Sequence, residues 1–287
     1  MPTTNNSSLE QQIKHDPDVP VIPPAIVTLL KALNDNDILY DQLAKELEKF
    51  PSIAIKIVAI ANSAWALPEE PITNLPDACS RLGLNIVRSV SIALSISQIF
   101  DPSRCPAFNT VTYWTSALLN AESAFLCAKE HPDICPNTAR LSGLLHNIGL
   151  LWLADKKPIE TESAILNTQE NQDHSLAESL YKILGIDYFT VGGQLAMAME
   201  LPEVITTAIS AEEIACLNSE TPSIKNHCYA RQLTASVIHN METESNMGTE
   251  TESENILPSE YNEDPNYQKL VDCLPKIQAM AVSIFSN

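Results

Sequence analysis

The sequence predicts an all-α protein, and three observations carry that prediction. Its 287 residues include only 7 glycines, too few for a turn-rich β architecture or for a set of phosphate-binding loops. Apolar residues recur at three- and four-residue spacings, which is the period of amphipathic helices. The 19 prolines fall mostly where these patterns start or stop. Because 45% of residues are hydrophobic but only 6% aromatic, the core must consist mainly of Leu, Ile, Val and Ala.

The net charge and the cysteines exclude several classes of protein. With a formal net charge of −19, the chain is too acidic to bind nucleic acid or an anionic membrane through electrostatic attraction. It opens without a basic and then apolar leader, and no run of about 18 apolar residues is present to span a bilayer. We therefore expect a cytoplasmic protein. Seven cysteines, an odd number without a CxxC pair, predict reduced thiols that serve as small core residues.

The first half of the chain is predicted to be a series of short helices. Residues 1–18 are polar and are expected to be flexible. Asn74 is the predicted N-cap of a short helix that stops at Gly83. The next helix is apolar most of the way round, which is typical of a helix between two layers. The predicted helices run from Ile26 to Leu33, from Ile38 to Phe50, from Pro51 to Ala61, from Asn74 to Gly83 and from Asn85 to Phe100.

The second half continues as helices and contains one stretch of special composition. The segment from Leu141 to Trp152 is a long apolar run that holds one imidazole, His146, and one carboxamide, Asn147. As a single helix it would turn four apolar side chains inward, namely Leu144, Leu145, Ile148 and Leu151. Other helices are predicted from Asn109 to Glu130, Asp173 to Leu184, Tyr188 to Met199, Pro202 to Ile214 and Ile224 to Asn240.

The C-terminal part divides into an acidic segment and a last helix. Between Gln232 and Gln268 the chain has eight acidic residues and neither Lys nor Arg. Residues 241–266 are therefore predicted to form a disordered acidic linker. Apolar residues then return at helical spacing, so residues 267–287 are expected to form a helix that docks on the body of the protein or on a partner.

Short motifs follow one another in a defined order from Val19 to Glu213. They are Pro23-Pro24, Asn62-Ser63, the segment from Asn74 to Gly83, Tyr113-Trp114, Leu144-Leu-His146-Asn147-Ile-Gly149, Gly185-Ile-Asp187, Val191-Gly192 and Leu201-Pro202. None of them is specific alone, but their joint order and spacing resembles the HDOD family, whose name stands for HD-related output domain. The resemblance covers roughly two thirds of the chain.

The resemblance implies an architecture and a class of function. It implies an N-terminal helical bundle over residues 19–104, packed on a degenerate HD-like helical bundle over residues 105–240. It also implies bacterial signalling or regulation, in which such domains act as output or protein-interaction modules. The motif residues expected to serve structure are Asn62, Ser63, Gly83, Trp114, Gly149 and Gly192.

The metal ligands of HD phosphohydrolases are mostly replaced in this chain. A metal-binding relative has a histidine where Ser116 follows the Tyr-Trp pair, and an aspartate where Asn147 follows His146. Two further ligand positions hold Tyr188 and the pair Glu212-Glu213. One imidazole does not retain a catalytic metal, so we expect no catalytic residue, no metal and no cofactor. These six residues form a remnant pocket, in which Asn147 is expected to hydrogen-bond to Ser116 or Tyr188.

Three functions follow as hypotheses. The first is a non-catalytic regulatory module that contacts unidentified signalling proteins and binds neither nucleic acid nor membrane. The second is a divergent metal-dependent phosphohydrolase acting on nucleotides or phosphodiesters, with Glu212-Glu213 as new ligands. The third, nucleic-acid binding through the N-terminal bundle, conflicts with the net charge. His227-Cys228 lacks a second ligand pair at zinc spacing and is expected to lie on a helix face. The oligomeric state stays open.

Overall fold

The computed structural model describes residues 38–62, 70–170, 175–211, 219–246, 261 and 263–285. Within these ranges the secondary structure is helical, without a strand, which confirms the predicted all-α class. Several predictions lie outside the described residues: the flexible N-terminus, the first helix, Ser63, Asp173, Glu212 and Glu213, and most of the acidic linker. Among the described helices, none is long and apolar enough to cross a membrane.

Four of the described helices lie in the first bundle, and their ends follow the predicted signals. The Asn74 side chain accepts a hydrogen bond from Asp77 N at 2.9 Å, and Gly83 ends that helix with φ +80°. Asn62 links the end of its own helix to Ile72, because its amide donates to Val58 O and Ile72 O and its Oδ1 accepts from Ile72 N. The helices are α1 (Tyr40–Leu47), α2 (Pro51–Ala61), α3 (Leu75–Leu82) and α4 (Leu84–Ser97).

Helix α4 joins this bundle to the second one. It contacts α2 and α3 on one side and the long helix Thr110–Ala128 on the other, so nine of its residues are buried and its predicted place between layers is confirmed. The second bundle consists of α5 (Thr110–Ala128), α6 (Pro136–Leu145), α7 (Ile148–Lys156), α8 (Pro158–Glu170), α9 (Leu176–Leu184), α10 (Tyr188–Ala198), α11 (Glu203–Ser210) and α12 (Pro222–Asn246). Its centre is α5, against which α6 and α12 pack.

The prediction of one helix from Leu141 to Trp152 is wrong. Helix α6 ends at Leu145, and α7 starts at Ile148 after a turn in which Asn147 has φ −117° and ψ 22°. Asparagine favours such turns because its short side chain competes for backbone hydrogen bonds. The inward side chains are buried nonetheless, since both helices lie in the core. The apolar spacing alone therefore did not reveal the break.

Three other helices differ from the prediction. Helix α8 was not anticipated, because only Thr161 and Ala164 of its thirteen residues are buried and the apolar stripe is too narrow to recognise. Helix α9 is capped by Ser175, whose hydroxyl accepts from Glu178 N while the Glu178 carboxylate accepts from Ser175 N. This is a capping box. Helix α12 continues to Asn246, beyond the predicted start of the linker at residue 241.

The last helix, α13 (Tyr267–Phe285), docks on the body of the protein. Phe285 stacks on Trp114 of α5 with ring centroids 4.8 Å apart. Lys56 Nζ of α2 donates to Ile284 O at 3.0 Å, so α13 contacts both bundles. Its interior proline, Pro275, departs from the expected placement of prolines at helix ends. The buried residues of α13 are Leu270, Leu274, Ile277, Met280, Ala281, Ile284 and Phe285.

The prediction that all cysteines are reduced is wrong for one of them. Cys228 on α12 is disulfide-bonded. Among the described residues, the free thiols are Cys79, Cys105, Cys127, Cys135 and Cys273. A CxxC motif contains only cysteines that are close in sequence. Its absence therefore does not exclude a disulfide between cysteines that are farther apart.

Candidate functional site

His146 and Asn147 lie in the turn between α6 and α7, where both side chains are buried. His146 Nδ1 lies 2.8 Å from Gly143 O. A carbonyl oxygen only accepts hydrogen bonds, so Nδ1 carries the proton and, in the neutral ring, Nε2 keeps its lone pair. The ring is thus a buried core histidine that is held by a hydrogen bond at Nδ1.

A polar network from three helices fixes this histidine. Gly143 O also accepts a hydrogen bond from Asn120 Nδ2 of α5 at 2.9 Å. Asn120 Oδ1 accepts in turn from Thr234 Oγ1 of α12 at 3.4 Å. Gly143 allows this approach because a Cβ atom there would lie only 2.7 Å from Asn120 O. The position of the His146 ring is therefore set by α5 and α12 as well as by its own helix.

A second imidazole and a guanidinium complete the cluster. The His227 ring centroid lies 6.5 Å from that of His146. Arg231, one turn later on α12, lies over the Phe189 ring at 4.1 Å and donates to Ala211 O at 3.0 Å. His227 is on a helix as expected, but its burial and its neighbour were not predicted. A signal was present, because positions 227, 230, 234 and 237 form one buried stripe.

Both imidazoles are uncharged at neutral pH. Burial, together with the nearby positive charge of Arg231, lowers the pKa of His146 to about 3, although the bond to Gly143 opposes the shift. Burial, Arg231 and His146 also hold the pKa of His227 well below its usual value. The two rings therefore act as neutral donors and acceptors beside one permanent positive charge.

The two depressed pKa values predict how stability depends on pH. The unfolded chain takes up protons on these histidines near pH 6.5, whereas the folded protein does not until about pH 3 at His146. The contribution of the two neutral rings to the free energy of unfolding is therefore fully present above pH 6.5. It is lost as the pH falls, because protons then bind to the unfolded chain and stabilise it. We expect His146→Gln to reduce the slope of the unfolding free energy between pH 6.5 and 5 by up to ~1.4 kcal/mol per pH unit.

Urea denaturation at several pH values in this window checks the prediction. His131 is exposed, so His131→Gln is the matched control and should leave the slope unchanged. An unchanged slope in His146→Gln would mean that the pKa of the ring is the same in the folded and in the unfolded chain.

The structure brings part of the predicted remnant pocket together. Gly149 lies against the start of α10, where an added Cβ would come within 2.6 Å of Gly192 N and closer still to Tyr188 O. Ser116 lies one turn before Asn120 on α5 and is half-buried. Asn147 Oδ1 is buried without a hydrogen-bond partner among the described residues, so the predicted bond from this oxygen to Ser116 or Tyr188 is not formed.

The chemistry of this cluster differs from that of a metal centre. Over the residues that the structure describes, no three His, Cys, Asp or Glu side chains lie close enough to hold a metal ion. Asp187, next to Tyr188, is engaged as the cap of α10 and accepts from Thr190 N and Thr190 Oγ1 at 2.8 and 3.1 Å. What remains are two neutral imidazoles, one amide oxygen and one guanidinium, which can bind polar groups by hydrogen bonds.

Comparisons with known proteins agree with the fold and with the motifs. The sequence model of the HDOD domain matches residues 19–214, whereas no curated protein matches the chain. A protein from Marinobacter aquaeolei VT8, provisionally assigned to signal transduction, superposes with a TM-score of 0.73 at 21% identity, covering 99% of this chain and 67% of its own. A provisionally assigned phosphohydrolase from Shewanella amazonensis SB2B gives 0.67 at 19%, covering 97% and 98%.

An HDOD domain protein of unknown function from Geobacter sulfurreducens gives a TM-score of 0.64 at 18% identity, covering 98% of each chain. At these identities the solved structures show the fold alone. The family match covers well over half of the residues and includes the turn that holds His146 and Asn147. The chain therefore belongs to the HDOD domain family.

Proposed function

We propose that this chain is a non-catalytic regulatory module of bacterial signal transduction whose output is a contact with another protein. The observation that carries the proposal is the charge of the cluster around His146, which includes His227 and Arg231. Where a hydrolase would have a carboxylate beside its imidazoles, this chain has the neutral Asn147, and the guanidinium of Arg231 supplies a positive charge. Family membership supports a role in signalling.

The same electrostatic field that opposes protonation of the histidines opposes a metal ion. A proton adds one positive charge to the cluster, whereas Mg²⁺ or Mn²⁺ would add two. Repulsion by Arg231 is stronger for the divalent ion at the same position, and burial makes both charges harder to solvate. Hydrolysis through activated water would need that ion. The positive charge of Arg231 and the burial of the cluster therefore favour a pocket that maintains structure over one that performs chemistry.

An exposed apolar surface is available for a protein contact. Helices α8 and α9 pack on each other and expose Ile159 by 78%, Leu166 by 45% and Tyr181 by 55%. Ile159 and Leu166 are seven residues apart, so they lie on one face of α8. Large apolar side chains that are exposed on two neighbouring helices are candidates for an interaction site. We define Ile159, Leu166 and Tyr181 as the α8–α9 surface.

One observation favours a phosphohydrolase as the second candidate. Histidines that bind metals usually donate the proton of one ring nitrogen to a carbonyl or carboxylate and bind the metal through the other. His146 has this arrangement, with Nδ1–H bound to Gly143 O. Enzymatic activity would then require a rearranged ligand set, for which Glu212 and Glu213 are the candidates from the sequence.

Turnover of a generic phosphodiester distinguishes the two functions. We expect the full chain, assayed with bis-p-nitrophenyl phosphate and Mn²⁺, Mg²⁺ or Fe²⁺, to show the same background rate as His146→Ala. Elemental analysis of the purified protein should give far less than one metal ion per chain. Stoichiometric metal together with turnover that His146→Ala abolishes would establish the phosphohydrolase instead.

Substitutions on the α8–α9 surface test the protein contact itself, and His146→Ala is compared with them. We expect Ile159→Glu and Leu166→Glu to lose capture of a crosslinked host protein at least ~10-fold, because each buries a charge in an apolar interface. His146→Ala should retain that capture. Val282→Glu, on an equally exposed position of α13, is the control. Equal capture by all four variants would exclude this surface as the contact.

A further inference from the structure

Helix α8 exposes two large apolar side chains on the face that points away from the core. Ile159 is 78% exposed and Leu166 is 45% exposed, whereas the two buried residues of the helix, Thr161 and Ala164, lie on the opposite face. Seven residues correspond to about two helical turns, so Ile159 and Leu166 follow one another along the helix axis about 10 Å apart. Together they form a narrow apolar stripe along α8.

Acidic side chains border this stripe on the same face of the helix. Glu162 lies one turn after Ile159, and Glu170 lies one turn after Leu166. Glu170 is exposed and Glu162 is partly exposed. Residues 158–170 include neither Lys nor Arg, so no basic side chain of α8 balances these charges. We define Ile159, Glu162, Leu166 and Glu170 as the outward α8 face.

The neighbouring residues leave the potential at this face negative. Helix α8 contributes a third carboxylate, Glu160, and α9 contributes Glu178 and a single base, Lys182. Lys156 at the end of α7 lies 3.3 Å from Asp155, whose carboxylate offsets its charge. Exposed charges act over a Debye length of about 8–10 Å at moderate salt, which is comparable with the spacing of these side chains. A molecule on the outward α8 face therefore meets a net negative charge.

This negative charge selects among the molecules that an apolar stripe could bind. A second copy of the chain would bring its own net charge of −19, and the acidic segment between Gln232 and Gln268 would be repelled in the same way. Nucleic acid and anionic membranes are also negatively charged. Charge complementarity therefore favours a basic segment of another protein. A stripe with a repeat of two turns matches the apolar side chains of an amphipathic helix.

We propose that the outward α8 face binds a basic amphipathic helix of a partner protein. Apolar side chains of the partner pack on Ile159 and Leu166, and Lys or Arg residues beside them pair with Glu162 and Glu170. The apolar contact supplies most of the affinity, because exposed ion pairs contribute little, whereas the carboxylates determine which sign of charge the partner carries. This inference rests on the proposed regulatory function, for which it names the class of partner.

Two synthetic peptides that differ only in charge test the sign of the partner. Each has about 15 residues, a hydrocarbon staple that holds it helical, Leu residues seven positions apart, and either Lys or Glu residues beside them. By fluorescence anisotropy we expect the full chain to bind the Lys peptide with a Kd of about 10–100 μM at low salt, and the Glu peptide at least ~10-fold more weakly. Equal binding of the two peptides, or no binding of the Lys peptide at about 1 mM, overturns the proposal.

Charge reversal locates the binding site on α8. We expect the double variant Glu162→Lys with Glu170→Lys to exchange the preference, so that the Glu peptide binds at least ~10-fold more tightly than the Lys peptide. The control is Asp41→Lys with Glu48→Lys, which changes the net charge equally at two exposed acids of α1. It should still prefer the Lys peptide. If the control also lost this preference, the net charge of the chain and not the outward α8 face would select the peptide, and the proposal would be wrong.

Removal of the apolar stripe tests the other half of the contact. We expect Ile159→Ser with Leu166→Ser to weaken binding of the Lys peptide at least ~10-fold, whereas Val282→Ser on α13 should leave it unchanged. Lys-peptide binding that survives in the double variant refutes the site. Capture of a host protein that is lost in Ile159→Glu but retained after reversal of Glu162 and Glu170 would refute only the basic partner. Phosphodiester turnover by the unchanged chain would refute the proposed function itself.

Discussion

Gly149→Ala is expected to destabilise the protein by ~3 kcal/mol or more, the upper end of the usual cost of overpacking. The added methyl group would come within 2.6 Å of Gly192 N and still closer to Tyr188 O. Both are backbone atoms, so no rotamer change can relieve the clash. Helix α7 would have to move away from α10, which would displace the turn that holds His146. Urea denaturation measures the loss directly.

Gly83→Ala is the control for this variant. Gly83 has φ +80°, but a Cβ there would meet nothing within 4 Å. Its substitution carries only the backbone strain of a side chain at φ +80° and ψ 150°, a conformation that is essentially restricted to glycine, about 1–3 kcal/mol. If Gly149→Ala cost no more than Gly83→Ala, the close contact between α7 and α10 would be wrong. The comparison separates crowding from conformational strain.

Removal of α13, by ending the chain before Tyr267, is expected to abolish cooperative unfolding. The helix contributes seven buried residues, and each large apolar side chain that becomes exposed costs roughly 1.5–3 kcal/mol. That total is comparable with the whole stability of about 5–15 kcal/mol that is typical of a domain. Thermal denaturation followed by circular dichroism should show a broad, early transition. A truncated chain would therefore capture other proteins through its exposed core, not through an uncovered regulatory surface.

Point variants test the same helix more gently. Leu274 is 1% exposed, so Leu274→Ala should cost about 2–5 kcal/mol. Val282 is 53% exposed on the same helix, and Val282→Ala should change the stability by less than ~0.5 kcal/mol. A small effect at Leu274 would mean that α13 is only loosely attached.

The sequence predicted those parts of the fold that local chemistry determines. The cap at Asn74, the stop at Gly83 and the start of α13 at Tyr267 depend on residues close in sequence, and all three are observed. The break at Asn147 could not be predicted, because apolar residues on both sides keep a continuous helical spacing. Helix α8 was missed because its buried face is narrow. Such features depend on which neighbours pack there, and a local pattern does not contain them.

Sequence patterns also predict only some residues of the candidate site. Family motifs identified His146 and Asn147, and the structure places both in one buried turn. His227 and Arg231 lie about 80 residues later, beyond the segment that carries the resemblance. Only the fold of α12 against α5 and α6 brings them next to His146. The positive charge that determines the chemistry of the pocket therefore comes from a helix that no motif marks.

The hydrogen bond between Lys56 and Ile284 joins residues 228 positions apart, and it has a consequence for biosynthesis. During translation, the helices around Trp114 leave the ribosome long before Phe285 is available to cover that ring. Until α13 leaves the ribosome, the Trp114 ring of the nascent chain therefore lacks its contact with Phe285. Contacts this distant in sequence slow folding and expose apolar surface on the way. Because α13 packs on α5 only late, we expect the synthesis of this protein to depend on chaperones.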